Sequence, residues 1–375
     1  MEEILNSAEQ SEKEYEWLKA AESYEEALKL IPDNDYLRIA QIYEHVGQAF
    51  HRAAMQAESQ EEFRERLQRS IGAYEKAHGF YGGLIAKEKN ALMLRCEAVI
   101  KYLGYWLTSV PSEKRKLLDE CLELAKNALA TFQDSGSKLE FSWTYNELRL
   151  VFMFRIWLSL EWEWNTAKSI VEMGVEWGER ALEMLSEVHD THEIAKTRVT
   201  LAFCYDLLGS LFIEGPEEQE KNRLKIVKSL SQVVDLQEKD GDAYLLGWAN
   251  ALLGDNTGGE EAAKHFEKTL ACGKLTRDNI LIGRGLNLLA YVAHWKAVAT
   301  EDPDKRKELL EKTMQLYDEA LNRYSIMSLM TPKDAGSMTI PAGHVAVYNA
   351  MAHEETDPEK RLALLEKAEK EGMRL

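Results

Sequence analysis

Pro303-Asp304-Lys305-Arg306, entered from Asp302, is the stretch on which the reading of this chain turns, because the chain repeats it. It returns as Pro358-Glu359-Lys360-Arg361 after Asp357, as Pro111-Ser112-Glu113-Lys114-Arg115, and more loosely as Pro216-Glu217-Glu218. Proline suits the first position of a helix, where its missing N–H would have no partner, and an Asp just before it is a good N-cap. Each phrase therefore starts a helix. Apolar runs follow at the i, i+3, i+4, i+7 spacing of an amphipathic helix, such as Leu117, Leu118, Cys121, Leu122 and Ala125, or Leu309, Leu310, Met314, Leu316 and Tyr317.

The same joint can be placed near Gln60-Glu61-Glu62, near Trp164-Asn165 and at Gly258-Gly259, so that successive second helices begin roughly every 42 to 55 residues. Fixed periods of about 20–50 residues signal solenoids, in which each unit buries its apolar face only against its neighbours. The expectation is an all-α chain, a right-handed superhelical solenoid of about eight antiparallel helix hairpins spanning residues 1–375 as a single domain. One connection breaks the rhythm: residues 325–343, with Pro332, Gly336, Pro341 and several apolar residues, read as a segment laid over a helix face.

In the first hairpin, about Glu2 to Ile31, the second helix carries Ala20, Tyr24 and Ala27 and is closed by Pro32. This spacing resembles the tetratricopeptide repeat, and the likeness recurs at Tyr74 and Ala77, at Ala262 and Phe266, and at Tyr317 and Ala320. Leu246-Gly247-Trp248-Ala249 followed by Gly254-Asp255 looks like the first helix and turn of the same repeat. Most units here are longer than the usual 34 residues; only 243–275 comes close. Independently of the name, small residues let helices approach closely and an aromatic ring fills the gap between neighbours.

With 64 acidic against 46 basic side chains, the formal charge is −18. Nucleic-acid affinity rests largely on Lys and Arg neutralising phosphates, so nucleic acid is not an expected partner. Cys96, Cys121, Cys204 and Cys272 sit singly in apolar runs, without disulfide or zinc spacing, and read as buried thiols of a reducing compartment. The acidic start Met1-Glu2-Glu3 is unlike a signal peptide. The longest apolar run, Leu148 to Leu160, is interrupted by Arg149 and Arg155 and falls short of a bilayer span. A cytoplasmic protein with no membrane contact is expected.

No phosphate-binding loop, HExxH or dinucleotide turn occurs, so no enzyme activity, cofactor or metal is expected. Glu75-x-x-His78 is half of a di-iron pattern without its second copy, and His189, Asp190 and His192 fall between helices, where polar residues serve as caps. Six of nine tryptophans, Trp106, Trp143, Trp157, Trp162, Trp164 and Trp177, crowd one region; most read as fillers between long helices, with at least one of Trp162 and Trp164 exposed.

The sharper signal is a polar stripe on otherwise apolar first helices. Arg284, Asn287, Tyr291 and His294 align at i, i+3, i+7 and i+10, as do Ser142, Asn146 and Arg149, one position upstream of the unit holding Arg198 and Tyr205. The repeat resemblance implies that first helices line a concave groove. Asn146, Arg149, Arg198, Tyr205, Arg284, Asn287, Tyr291 and His294 are then its candidate partner-binding residues, the arginines for carboxylates and the asparagines for main chain. The alternative is that these side chains satisfy one another between hairpins. The expected function is a non-enzymatic interaction scaffold or regulatory sensor that binds a peptide or helix of another protein, acidic or C-terminal. The rival is a module that senses a small molecule or nucleotide and controls a separate effector. An apolar array end would suit a partner or self-association.

Overall fold

The computed structural model describes residues 1–85, 88–158, 163–188, 190–327 and 339–372, without the side chains of 157, 238–240 and 339–341. The expectations for Trp162, His189, the Trp157 side chain and most of the connection at 325–343 lie outside the described residues.

The described chain divides into two compact units, Met1–Leu245 and Leu246–Leu375. In the first, α1 (Glu2–Lys13) precedes α2 (Trp17–Leu28), α3 (Tyr36–Met55) precedes α4 (Gln60–Gly82), and α5 (Lys89–Leu107) precedes α6 (Pro111–Ser135). Then α7 (Lys138–Glu147) and α8 (Arg149–Trp157), parted at Leu148, lie beside α9 (Trp164–Leu185), and α10 (Thr191–Leu211) beside α11 (Pro216–Asp240). The second unit takes up α12 (Ala243–Asp255) from Leu246 and continues with α13 (Gly259–Thr276), α14 (Asn279–Val298), α15 (Pro303–Ile326), α16 (Thr339–Glu354) and α17 (Pro358–Gly372).

Helices begin at Gln60, Pro111, Trp164, Pro216, Gly259, Pro303 and Pro358, where the repeated phrase and its relatives place them. The caps are made as their chemistry requires. Asp302 accepts from the backbone N–H groups of Asp304 and Lys305, and Asp357 from those of Glu359 and Lys360. Consecutive helices are neighbours along each unit, so every helix buries its apolar stripe on the ones before and after it. The repeat-like aromatics fill close approaches. A Cβ added at Gly47 on α3 would lie 2.6 Å from Tyr74 Cε2 on α4, and Phe266 of α13 lies against Gly254 of α12 in the same way. Each unit is thus built from antiparallel helix pairs, as tetratricopeptide-like repeats are.

The arginines buried in the core of the first unit are paired. Arg95 of α5, 3% exposed, donates from Nε to Glu44 Oε1 of α3 at 3.0 Å and from Nη2 to Glu44 Oε2 at 2.6 Å, and also bonds Glu140 of α7. Tyr81 of α4 donates to Glu44 at 2.5 Å, and the Arg95 guanidinium lies 4.2 Å from the Trp143 ring centre. Burial, reinforced by Glu44, pushes the Tyr81 hydroxyl and the Cys96 thiol up. In α8, Arg155 is answered in the same way by Asp119 of α6 and by Glu163, which is how arginines sit within the apolar run.

Removing one partner of a buried pair strands the other, at a cost of about 3–5 kcal/mol, whereas replacing both by apolar side chains can be close to neutral. Glu44→Ala should therefore destabilise the first unit by that amount in urea denaturation. Glu44→Leu with Arg95→Met should recover most of the loss.

Candidate partner-binding surface

The stripe read from sequence has a different fate in each unit. In the first, Asn146 Nδ2 is within 3.2 Å of Thr197 Oγ1 and of Glu193 Oε2, both on α10, and 3.4 Å from Ser142 Oγ. Ser142 and Thr197 hydroxyls lie 2.8 Å apart, and Lys196 bonds Glu193 at 2.7 Å. Arg149, 7% exposed, donates from Nη2 to the Tyr244 hydroxyl at 2.7 Å, and Arg52 of α3 stacks 4.1 Å from the centre of the same ring. Tyr205 bonds Glu179 of α9 and lies under Lys225 of α11 at 5.3 Å, while Arg198 is half-buried on α10. Asn146, Arg149 and Tyr205 therefore join helices of the first unit to one another.

In the second unit, Arg284 reaches Asp255 at 2.5 Å and Asn287 is 4% exposed. Beyond them the face opens. Tyr291 is 54%, Trp295 55% and Val298 56% exposed, with the Tyr291 and Trp295 rings edge-on at 5.9 Å. His294 lies half-buried beside Trp295 at 6.4 Å; its Nδ1 is shielded and without a hydrogen bond, and burial holds the imidazole below the usual histidine range. Further towards the N-terminus the same face is covered: Leu288 packs with Ala251 of α12 and with Ala262 and Phe266 of α13. In the same unit Asn250 and His265 are joined at 2.8 Å, Oδ1 to Nδ1.

Trp295 and Val298 belong to this surface but were not singled out from sequence. The signal was available, since they continue the Tyr291 position at i+4 and i+7. A second signal was the charge of α14: residues 279–298 contain Arg284, His294 and Lys296 and no Asp or Glu, in a chain of net charge −18. Trp164, at 50% exposure, is the other prominent exposed tryptophan, tilted against Phe212 with ring centres 4.7 Å apart, and the last helix exposes Leu362 and Leu365.

The thiols lie inside packing seams. All four cysteines are free and buried, and burial pushes the Cys204 thiol up to about 12. His78 faces Glu97 at 2.8 Å across α4 and α5, and His192 lies 3.7 Å from Asp242. Among the described residues no three His, Cys, Asp or Glu are placed to hold a metal ion, and no helix is long and apolar enough to cross a membrane. A small cavity of about 10 Å³, lined by Arg95, Tyr102, Cys121, Thr144 and Glu147 among others, has room for about one water.

No protein-family model matches the sequence, and no curated protein matches it. Among solved structures the chain is similar to a Rap protein complexed with competence and sporulation factor, at 12% identity over 99% of this chain and 95% of that one, with a TM-score of 0.47. The apo form of RapI gives 11% identity, 99% and 96% coverage and a TM-score of 0.45. A circular tandem repeat protein gives 13%, 99%, 94% and 0.29. The helix-pair architecture described above rests on the chain's own geometry.

The two halves of the stripe should respond differently to truncation. A hydrogen bond from a charged, buried group is worth about 1.5–3 kcal/mol, while a surface change away from such features stays within about 0.5 kcal/mol. Arg149→Ala should lower the stability of the first unit by the larger amount in chemical denaturation, and Tyr291→Ala should leave that of the second unchanged.

Proposed function

We propose that this protein is a non-enzymatic interaction scaffold, and that the α14 face of its second unit receives a peptide or helix from another protein. The observation that carries this reading is the ridge of Tyr291, Trp295 and Val298, three large apolar side chains left more than half exposed on one line of one helix. Exposed apolar surface of this kind costs solubility unless it serves contact, and Trp and Tyr are the side chains that most often anchor protein interfaces.

The chemistry of the partner follows from the surroundings. The ridge lies on a helix with no carboxylate, between Arg284 and Lys296, so a segment carrying apolar anchors flanked by Asp, Glu or a C-terminal carboxylate is the complement. His294 supplies a ring nitrogen without a bond. Arg284 contributes positive charge while tied to Asp255, and Asn287 lies deeper on the same side. In the first unit, Arg198 is the remaining candidate contact, since Asn146, Arg149 and Tyr205 are engaged within the fold. Four buried, free thiols suit a reducing compartment such as the cytoplasm. The exposed Leu362 and Leu365 of α17 are the surface through which an array end would meet a second copy.

The test is a selection from a random peptide display library on the intact protein, with affinities of the enriched peptides measured by fluorescence polarisation. The expected consensus joins an aromatic or aliphatic anchor to acidic residues. Tyr291→Ser with Trp295→Ser should weaken binding by about 30-fold or more, the loss of a hot spot of about 2 kcal/mol. Peptides that bind the double variant as tightly as the wild type would reject the α14 face.

A further inference from the structure

The first hairpin is held on its unit by an apolar seat against α3 and by a few polar ties. Ala8 is the buried residue of α1, and Ala20, Ala21, Tyr24 and Ala27 are those of α2, so the apolar seat is made mostly of small side chains. Polar ties are the pair of Glu25 on α2 with Arg69 on α4 at 3.2 Å and Tyr15 in the turn between α1 and α2, which adopts a positive φ of 59°. Its hydroxyl accepts from the Ala243 N–H at 2.7 Å and donates to the Gly241 carbonyl at 3.4 Å, and its own carbonyl accepts from Gln56 Nε2 at 2.9 Å.

Into this seat α1 brings a carboxyl group. Glu12 has one oxygen, Oε1, shielded from water and without a hydrogen-bond partner. The groups that face it are Glu9 on α1, Tyr24 on α2, Arg52 on α3 and Lys196 on α10. Both cations have other engagements: Arg52 stacks on Tyr244 and Lys196 bonds Glu193. Glu9 adds like charge. Beside this group His45 of α3 stacks on Tyr24 at 5.0 Å and lies 6.5 Å from the Trp143 ring, with a shielded, unbonded Nδ1. His45 in turn faces Glu9, Arg95 and Lys196. A charge placed on Glu12 would thus be half-buried, bonded to the Tyr24 hydroxyl but with its Oε1 unanswered and no ion pair of its own, which is costly.

We propose that the seating of the α1–α2 hairpin on the first unit is proton-dependent, and that Glu12 is the group that must be neutral for it to seat. The direction of the effect follows from the burial. Burial pushes the Glu12 carboxyl up to about 7, against the lowering effect of Tyr24 and Lys196, whereas in a released hairpin it returns to the ordinary value near 4.5. The released form therefore sheds its proton first. The seated form is favoured most below the released value, and the preference is lost as pH rises towards 7, above which it levels off. His45, which burial holds below the usual histidine range, disfavours seating only on the acid side. The hairpin is then a latch that loosens from mildly acidic to neutral pH.

The test is hydrogen–deuterium exchange of the full chain, corrected for the intrinsic pH dependence of exchange. Protection of residues 2–28 should fall about tenfold between pH 6 and pH 8, the change expected from one such carboxyl, while α5 and α6 stay constant. Glu12→Gln should keep its pH 6 protection at pH 8, and His45→Phe should leave the wild-type dependence in place. A flat wild-type profile overturns the proposal without reference to any variant. So does a Glu12→Gln profile that still falls, or one unprotected at both pH values, because a neutral amide should seat as a neutral carboxyl does. A dependence abolished by His45→Phe would assign the effect to the imidazole instead.

Discussion

Arg95 carries a full positive charge into the interior of the first unit, and the groups that neutralise it tie that unit together. Glu44 comes from α3, Tyr81 from α4 and Glu140 from α7, and the Trp143 ring closes the remaining side. An apolar contact tolerates sliding by part of a helical turn, but a guanidinium held at two nitrogens by one carboxylate does not. Helices that would otherwise share a greasy interface are thereby fixed in register. The same device recurs where Arg155 meets Asp119 and Glu163. An array whose helices touch mostly their neighbours benefits from such register marks, because few distant contacts are there to correct a slip.

The parts of this architecture that could be read from sequence are those encoded locally. A proline after an aspartate starts a helix whatever surrounds it, and the helices at Pro303 and Pro358 begin on that signal with their caps formed. Period alone located the starts at Gln60, Trp164 and Gly259. The break between α7 and α8 at Leu148 has no glycine or proline to announce it. The division of the chain near residue 245 likewise depends on which helices touch, and no local residue marks it.

The candidate surface was legible to a lesser degree, for a physical reason. Spacing tells which side chains share a helix face but not what another helix sets opposite them. Arg149 finds a tyrosine 95 residues away, and Asn146 finds its acceptors on α10, so the polar face of α7 and α8 is spent inside the fold. On α14 the stripe changes character along its length. Its N-terminal part meets Asp255, while towards the C-terminus Tyr291, Trp295 and Val298 stay more than half exposed. The transition from paired to exposed, within one helix of uniform periodicity, is invisible without the neighbours.

The tie between Tyr15 and the backbone at Gly241 and Ala243 spans more than 220 residues of sequence. During synthesis, at about 5–20 residues per second, the first hairpin waits roughly 10–45 s before its anchor exists. Through that interval its tyrosine and the Glu12 carboxyl face solvent or the nascent helices that follow. Assembly of the first unit is therefore completed by its last-made turn, and a chain stopped short of residue 241 leaves the Tyr15 hydroxyl of the earliest-made hairpin without its partners.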